Sequence, residues 1–198
     1  MKYGELTLGQ VEAIVNKLGG MDGVQRFLRG ELVIKPTECT FKTWKTIKLG
    51  TGLKTADDFR KALKKADCNI SDWANDIIGK SAFSVSPEEV DAELVVVSVA
   101  ELGFKNGATC ADIYKRAEEL GLALCPNEVG PQLRLQYKDQ PNGEWLLIGM
   151  EPITDSDGGL SVFSVARHVG GARWLYSHYG SPDGVWHAGG RWVFLRRK

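Results

Sequence analysis

The 198-residue chain has no net charge, no paired cysteines and no apolar run of membrane-spanning length. Each absence removes a class of function. Twenty-five Lys and Arg balance 25 Asp and Glu, so the chain is no supercharged nucleic-acid carrier. Cys39, Cys68, Cys110 and Cys125 stand 29, 42 and 15 residues apart. Zinc sites usually bring two ligands close in sequence, and no CxxC pair does so here. The four read as free thiols of a reducing cytoplasm. The greasiest stretch, Leu94 to Ala100, is seven residues long, whereas a spanning helix needs about 20. The opening MKYGELTLGQ has one early Lys and no apolar run, which predicts no secretory signal. No glycine pair sits between a strand and a helix with a Lys-Ser/Thr, so there is no phosphate loop. No Ser or Cys has a readable adjacent base, which leaves nucleophilic catalysis without support. Asp155-Ser-Asp157-Gly opens like a calcium loop but lacks the later glutamate, and reads as a turn.

What is present is an ordinary globular composition, 43% hydrophobic and 25% charged. Residues 1–80 hold 14 basic and 10 acidic side chains, net +4; residues 81–198 hold 11 and 15, net −4. Capping signals predict short helices through the first 125 residues. Thr7 starts one over 8–18, with Val11, Ile14, Val15 and Leu18 on one face, and Gly19-Gly20 stops it. A second, 21–28, turns Val24, Phe27 and Leu28 inward, and Pro36 closes the unit. Cys39 to Leu49 reads as a strand or extended segment. Thr55 with Asp58, Ser71 and Thr109 start three more helices, and Gly79 and Gly121 end two of them. Residues 87–102 are predicted helical, because Ser86-Pro87-Glu88-Glu89 is a start signal and Glu101-Leu-Gly103-Phe104 a stop, although Val95 to Val99 favours a strand.

After Pro126 the pattern changes to short alternating runs. Gln132 to Tyr137, Trp145 to Met150, Leu160 to His168, Trp174 to Gly180 and Val185 to Arg196 read as five strands joined by turns at Pro141-Asn-Gly143, Asp155 to Gly159, Gly170-Gly171 and Ser181 to Gly184. The expected fold class is α+β, with short helices in 1–125 followed by a mostly antiparallel five-strand sheet in 131–197. The expected segments are a helical hairpin over 1–35, an extended segment with short helices over 36–80, and an α+β domain over 81–198.

The densest chemistry lies at the C-terminal end. His168, His178 and His187 all fall there, among Trp174, Tyr176, Tyr179, Trp186 and Trp192. A turn over Ser181–Gly184 pairs positions that sum to 365, which sets His178 opposite His187 and Tyr179 opposite Trp186. The first hairpin pairs positions summing to 341 and sets His178 opposite Phe163, some distance from His168. A facing histidine pair is half a metal site, an acid/base site, a proton sensor or a surface pair; no further ligand is readable, so no metal and no cofactor is expected. The candidate ligand-binding set is His178, His187, Trp174, Tyr176, Tyr179 and Trp186. A weaker set, Lys42, Trp44, Lys45 and Lys48, interleaves cations with rings as single-stranded nucleic-acid grooves do. A strand with a snorkelling lysine face accounts for it equally well. Helix-turn-helix readings at 8–28 and 112–122 fail on a short second helix and on the helix breakers Pro126 and Pro131.

The run GATCADIYKRAEELGLALCPNEVGPQLRLQYKDQPNGEWLLIGMEPITDSDGG, with the ending RWVFLRR, resembles a module of uncharacterised bacterial proteins and would cover roughly residues 85–198. The resemblance implies a bacterial, cytoplasmic origin and carries over no activity or residue roles. The expected function is a non-enzymatic binding or adaptor protein, contacting an unknown protein or small-molecule ligand through the aromatic and histidine face of its sheet, with no membrane. The alternatives are a small hydrolase or metal-dependent enzyme centred on His178 and His187, and nucleic-acid binding through the basic N-terminal region.

Overall fold

A computed structural model describes residues 7–32, 39 and 41–197. The chain forms two compact units, Met1–Pro36 and Thr37–Lys198. Pro36 itself lies outside the described residues.

The first unit is a helical hairpin, α1 (Leu8–Lys17) and α2 (Gly20–Leu28). Thr7 and Gln10 form a reciprocal capping box at the start of α1. Gly19 turns the chain with φ +89°, a conformation that an L side chain resists. Leu8, Val11, Ile14, Phe27 and Leu28 are exposed. The inward placement expected for Phe27 and Leu28 is thereby corrected.

The second unit begins with β1 (Lys45–Leu49), α3 (Ala56–Lys65), β2 (Cys68–Ile70) and α4 (Asp72–Ile78). Next come β3 (Val90–Ser98), β4 (Ala108–Thr109), α5 (Cys110–Glu119), β5 (Leu122–Ala123) and α6 (Val129–Gln136). It closes with β6 (Trp145–Ile148), β7 (Ile153–Thr154), β8 (Leu160–Arg167), β9 (Arg173–Tyr179), β10 (Val185–Trp186) and β11 (Arg191–Arg196). The fold is α+β, as expected, but the sheet is not a five-strand meander. Nine strands form one mixed sheet in the order β1-β3-β11-β6-β8-β9-β2, with β5 on β11 and β7 on β8. The sheet curls strongly into a half-barrel. β11 runs parallel to β6, and β2 parallel to β9. Residues 36–80 and 81–198 share this sheet, because β1 pairs with β3 and β2 with β9.

Two readings are overturned. The stretch 87–102 is mainly the strand β3, paired on both sides and buried on both faces, where β-branched valines pack well. The stop at Gly103 is real: its φ is +104°, Phe104 N–H bonds Val99 O, and Gly103 N–H bonds Ala100 O. It ends a single turn after the strand and not a long helix. The expected first strand, Gln132 to Tyr137, is the helix α6 with its C-terminal cap. Its polar/apolar alternation conceals Val129, Leu133 and Tyr137 at four-residue spacing, all buried. Pro131 falls in the first turn, where its missing N–H has no intrahelical acceptor to satisfy. Gly130 allows close approach, since a Cβ there would lie 2.6 Å from the Phe163 ring.

Because α6 is buried nearly all round, its polar side chains are internally bonded. Fully buried Glu128, at its N-terminus, accepts Gly50 N–H (2.9 Å), Ser86 N–H (2.8 Å) and the Gln132 amide (2.9 Å). Fully buried Arg134 donates to Gln140 Oε1, Ala166 O (3.1 Å) and Tyr137 O (2.6 Å). Gln140 donates onward to the backbone oxygens of Glu144 and Val165, both at 3.2 Å. Gln136 accepts Lys48 N–H (2.9 Å) and donates to Lys48 O (2.8 Å), on β1 at the border of the sheet.

One sheet face, with Ile47, Leu94, Leu146, Ile148, Val165, Leu175 and Val193, packs on residues of α3, α4 and α6. On the other face, Val95, Val97, Leu147, Trp192 and Phe194 pack on Ile113 and Ala117 of α5. All four cysteines are free thiols, and only Cys39 is not buried. Burial pushes the Cys110 and Cys125 thiols up from their ordinary range. A thiol reagent is therefore expected to titrate one group, Cys39, in the native protein and four after denaturation. Rapid native reaction of a second thiol would contradict this packing.

Candidate ligand-binding site

The α5-covered face continues past β6 onto β8 and β9, where rings stand in place of a helix. Alternation along β9 puts Trp174, Tyr176 and His178 on this face. Small residues on β8 make room for them: Ala166 pairs with both Trp145 and Trp174, and Ser164 with Tyr176. The Trp145 ring reaches over β8 and stacks on Tyr176 at 5.0 Å and 12°. Trp174 stacks on Tyr176 at 5.0 Å and 8°. His168 lies nearly parallel to both, and its Nε2 is 3.0 Å from the Tyr176 hydroxyl. Beyond Trp145 the row turns edge-on, through His178 (4.9 Å) and Trp186 (6.1 Å from His178) to buried Trp192 (5.2 Å). Such stacked and edge-to-face pairs add to simple burial and hold each ring rigidly.

The row ends in a cleft of about 670 Å³ lined by Trp145, Leu147, His178, Trp186, His187, Arg191 and the 141–144 turn. Tyr137 OH donates to Glu144 Oε2 (2.8 Å), and Arg191 donates to Glu144 Oε1 (2.7 Å). Gly143 N–H bonds Arg167 O at 2.7 Å and Arg167 N–H bonds Glu144 O at 3.0 Å, which fixes the turn on β8. Burial, with Glu144 adding to it, pushes the Tyr137 hydroxyl well up from its ordinary range. His187 Nδ1 accepts Gly189 N–H at 3.1 Å, so the neutral ring carries its proton on Nε2. His178 Nε2 and Trp186 Nε1 are shielded from solvent and have no hydrogen-bond partner among the described residues. A second cleft, of about 460 Å³, opens on the other side of Trp145, between Glu144 and His168.

The structure brings His178, His187 and Trp186 to one cleft and sets Trp174 and Tyr176 in the adjoining row. It does so by a route different from the expected hairpin. The Ser181–Gly184 turn forms, with Gly184 N–H on Ser181 O at 3.0 Å. The strand that leaves it pairs with β4, not with β9. The turn's carbonyls are taken by the start of α5: Cys110 N–H bonds Gly184 O and Ala111 N–H bonds Pro182 O, both at 2.9 Å. His178 therefore does not pair with His187, nor Tyr179 with Trp186. The β8–β9 register is also one residue away from expectation, with His178 opposite Val162 and Arg167 opposite Arg173. Tyr179 lies on the opposite face of β9, 62% exposed, and takes no part in the cleft. Sequence reasoning missed Trp145, Glu144 and Arg191; the only local signal was the Pro141-Asn-Gly143 turn beside Trp145.

The lysine set lies on and beside β1. Trp44 packs edge-on against Tyr137 (4.9 Å), and Lys45 Nζ sits over the Tyr137 ring and 3.4 Å from Asp139. Lys48 pairs with Glu89 (2.7 Å) and Asp91 (3.5 Å), and Lys42 is exposed. Among the described residues, no three His, Cys, Asp or Glu side chains gather closely enough to hold a metal ion. No helix among them is long and apolar enough to cross a membrane.

Burial holds the His178 imidazole below its ordinary value of 6.5. The native state then binds fewer protons than the unfolded chain as pH falls, so stability present above 6.5 drains away below it. Urea midpoints of wild type and His178→Gln, compared between pH 7 and pH 5, are expected to fall more in wild type. Equal falls would mean that the imidazole titrates alike in both states.

No protein-family model, curated protein or solved structure matches the chain.

Proposed function

We propose that the chain is a non-enzymatic binding protein whose ligand occupies the cleft between Trp145 and Trp186. The supporting observation is the cleft of about 670 Å³ whose aromatic wall, Trp145, His178 and Trp186, is fixed by edge-on ring packing beside the Glu144–Arg191 pair. Concave, largely apolar clefts with a few convergent polar groups are where small ligands bind. A hydrolytic reading has less behind it. Neither His178 nor His187 hydrogen-bonds a hydroxyl, thiol or carboxylate among the described residues. The lysines of the basic region are partly engaged by Asp139, Glu89 and Asp91, which weakens a nucleic-acid reading. Four free thiols fit a cytoplasmic setting. The test is protein-observed NMR with a panel of neutral small-molecule fragments. Binding fragments are expected to shift the His178 and Trp186 ring signals. Fragments that bind but shift only signals elsewhere, or a panel with no binder, would overturn the reading.

A further inference from the structure

We infer that the occupant of this cleft is a neutral oligosaccharide chain laid across Trp145, an inference that rests on the binding role proposed above. A sugar ring has an apolar face of C–H groups and a rim of hydroxyls that donate and accept together. The cleft offers both halves of that pattern. Trp145 and Trp186 give apolar ring surface, and Trp145 stands 41% exposed as the ridge between the two clefts. At the rim, Glu144 and Arg191, joined at 2.7 Å, place an acceptor beside a donor, as two neighbouring hydroxyls require. His187 adds an Nε2–H donor by virtue of its bond from Gly189. The charge balance excludes a strongly charged ligand. Among the described residues no lysine lines either cleft, Arg191 is paired with Glu144, and Arg167 donates to Gln140 O at 2.8 Å. Phosphate chains need several free cations, which this surface lacks. Two clefts of about 670 and 460 Å³ on either side of one ridge suit a chain of several sugar units and not a single ring.

The experiment titrates the full chain with neutral hexasaccharides of glucose, xylose, mannose and N-acetylglucosamine, alongside heparin and an uncharged hexapeptide, by calorimetry and saturation-transfer NMR. At least one neutral hexasaccharide is expected to bind. Trp145→Ala should weaken it about tenfold or more, as truncation of an aromatic anchor does. Trp145 is half out of the core, so the variant keeps its fold, and an unchanged melting curve checks this. Glu144→Gln should weaken binding several-fold, and Trp73→Ala, on the exposed side of α4, should leave it unchanged. His168→Ala should weaken the hexasaccharide but not the matching disaccharide, since only a long chain reaches both clefts. Preference for heparin or the peptide, binding insensitive to Trp145→Ala, or no neutral saccharide bound at 10 mM (roughly the weakest affinity worth counting) overturns the inference. If the fragments still shift His178 and Trp186, the binding role stands with another ligand class; if they do not, both fail.

Discussion

Replacing Glu128 with alanine is expected to lower the unfolding free energy by about 3–5 kcal/mol, from the two backbone donors it strands together with the lost buried side chain. The carboxylate is fully buried and serves two separate backbone segments, Gly50 and Ser86, besides the Gln132 amide. Alanine leaves two backbone N–H groups without an acceptor, each costing roughly 1–3 kcal/mol. It also leaves a void at the end of the helix that fills the sheet. Glu128→Gln separates shape from charge. It keeps one acceptor but turns an NH₂ group toward a donor, so it should still destabilise by about 2 kcal/mol. Urea unfolding at pH 7 measures both. A loss below about 1 kcal/mol for the alanine variant would mean that water replaces the carboxylate.

Arg134→Met is expected to cost about 2–4 kcal/mol, and its sign is the informative part. Burial, with the Arg173 charge adding to it, disfavours this guanidinium and lowers its proton affinity. Its hydrogen-bond partners are neutral oxygens, those of Gln140, Ala166 and Tyr137. Desolvation of one cation costs several kcal/mol. Against it stand three charge-assisted bonds of roughly 1.5–3 kcal/mol each, and three oxygens that methionine would strand in the core. The bonds win on these magnitudes. A stabilised variant would show that desolvation wins instead. The same change should loosen the cleft, because Arg134 holds Gln140, and Gln140 holds the Glu144 backbone. Broadening of the Trp145 indole NMR signal in Arg134→Met, with the Trp73 signal unchanged, checks this second effect.

Local signals in the sequence located most helix ends. Thr7, Thr55, Ser71 and Thr109 all cap helices with their side chains, and Asp58 closes a capping box in place of the usual glutamate. Those contacts span three residues, so the sequence carries them whole. Strand partners were not legible, because β10 chooses between β9 next to it and β4 some 75 residues earlier, and the unsatisfied start of α5 decides. The slip of one residue in β8–β9 has the same origin: a glycine turn tolerates more than one loop length, and packing selects among them. For the site, the ring-rich residues of β9 were visible by composition alone. Trp145 was not, since its place in the row depends on Ala166 of the intervening strand. Helix α6 was hidden because its polar positions are satisfied inside the protein, and polar side chains in sequence ordinarily mean water.

The Gln136 amide on β1 copies what a neighbouring strand would offer. It returns one donor and one acceptor to Lys48, the two groups through which an incoming chain would begin to zip onto that border. Glu128 occupies the next amide along, at Gly50. The first strand of the sheet is therefore shielded against fibril-like growth by the same helix that fills the interior. Resistance to self-templating and correct folding of α6 are a single event, and a chain with α6 undocked would lose both together.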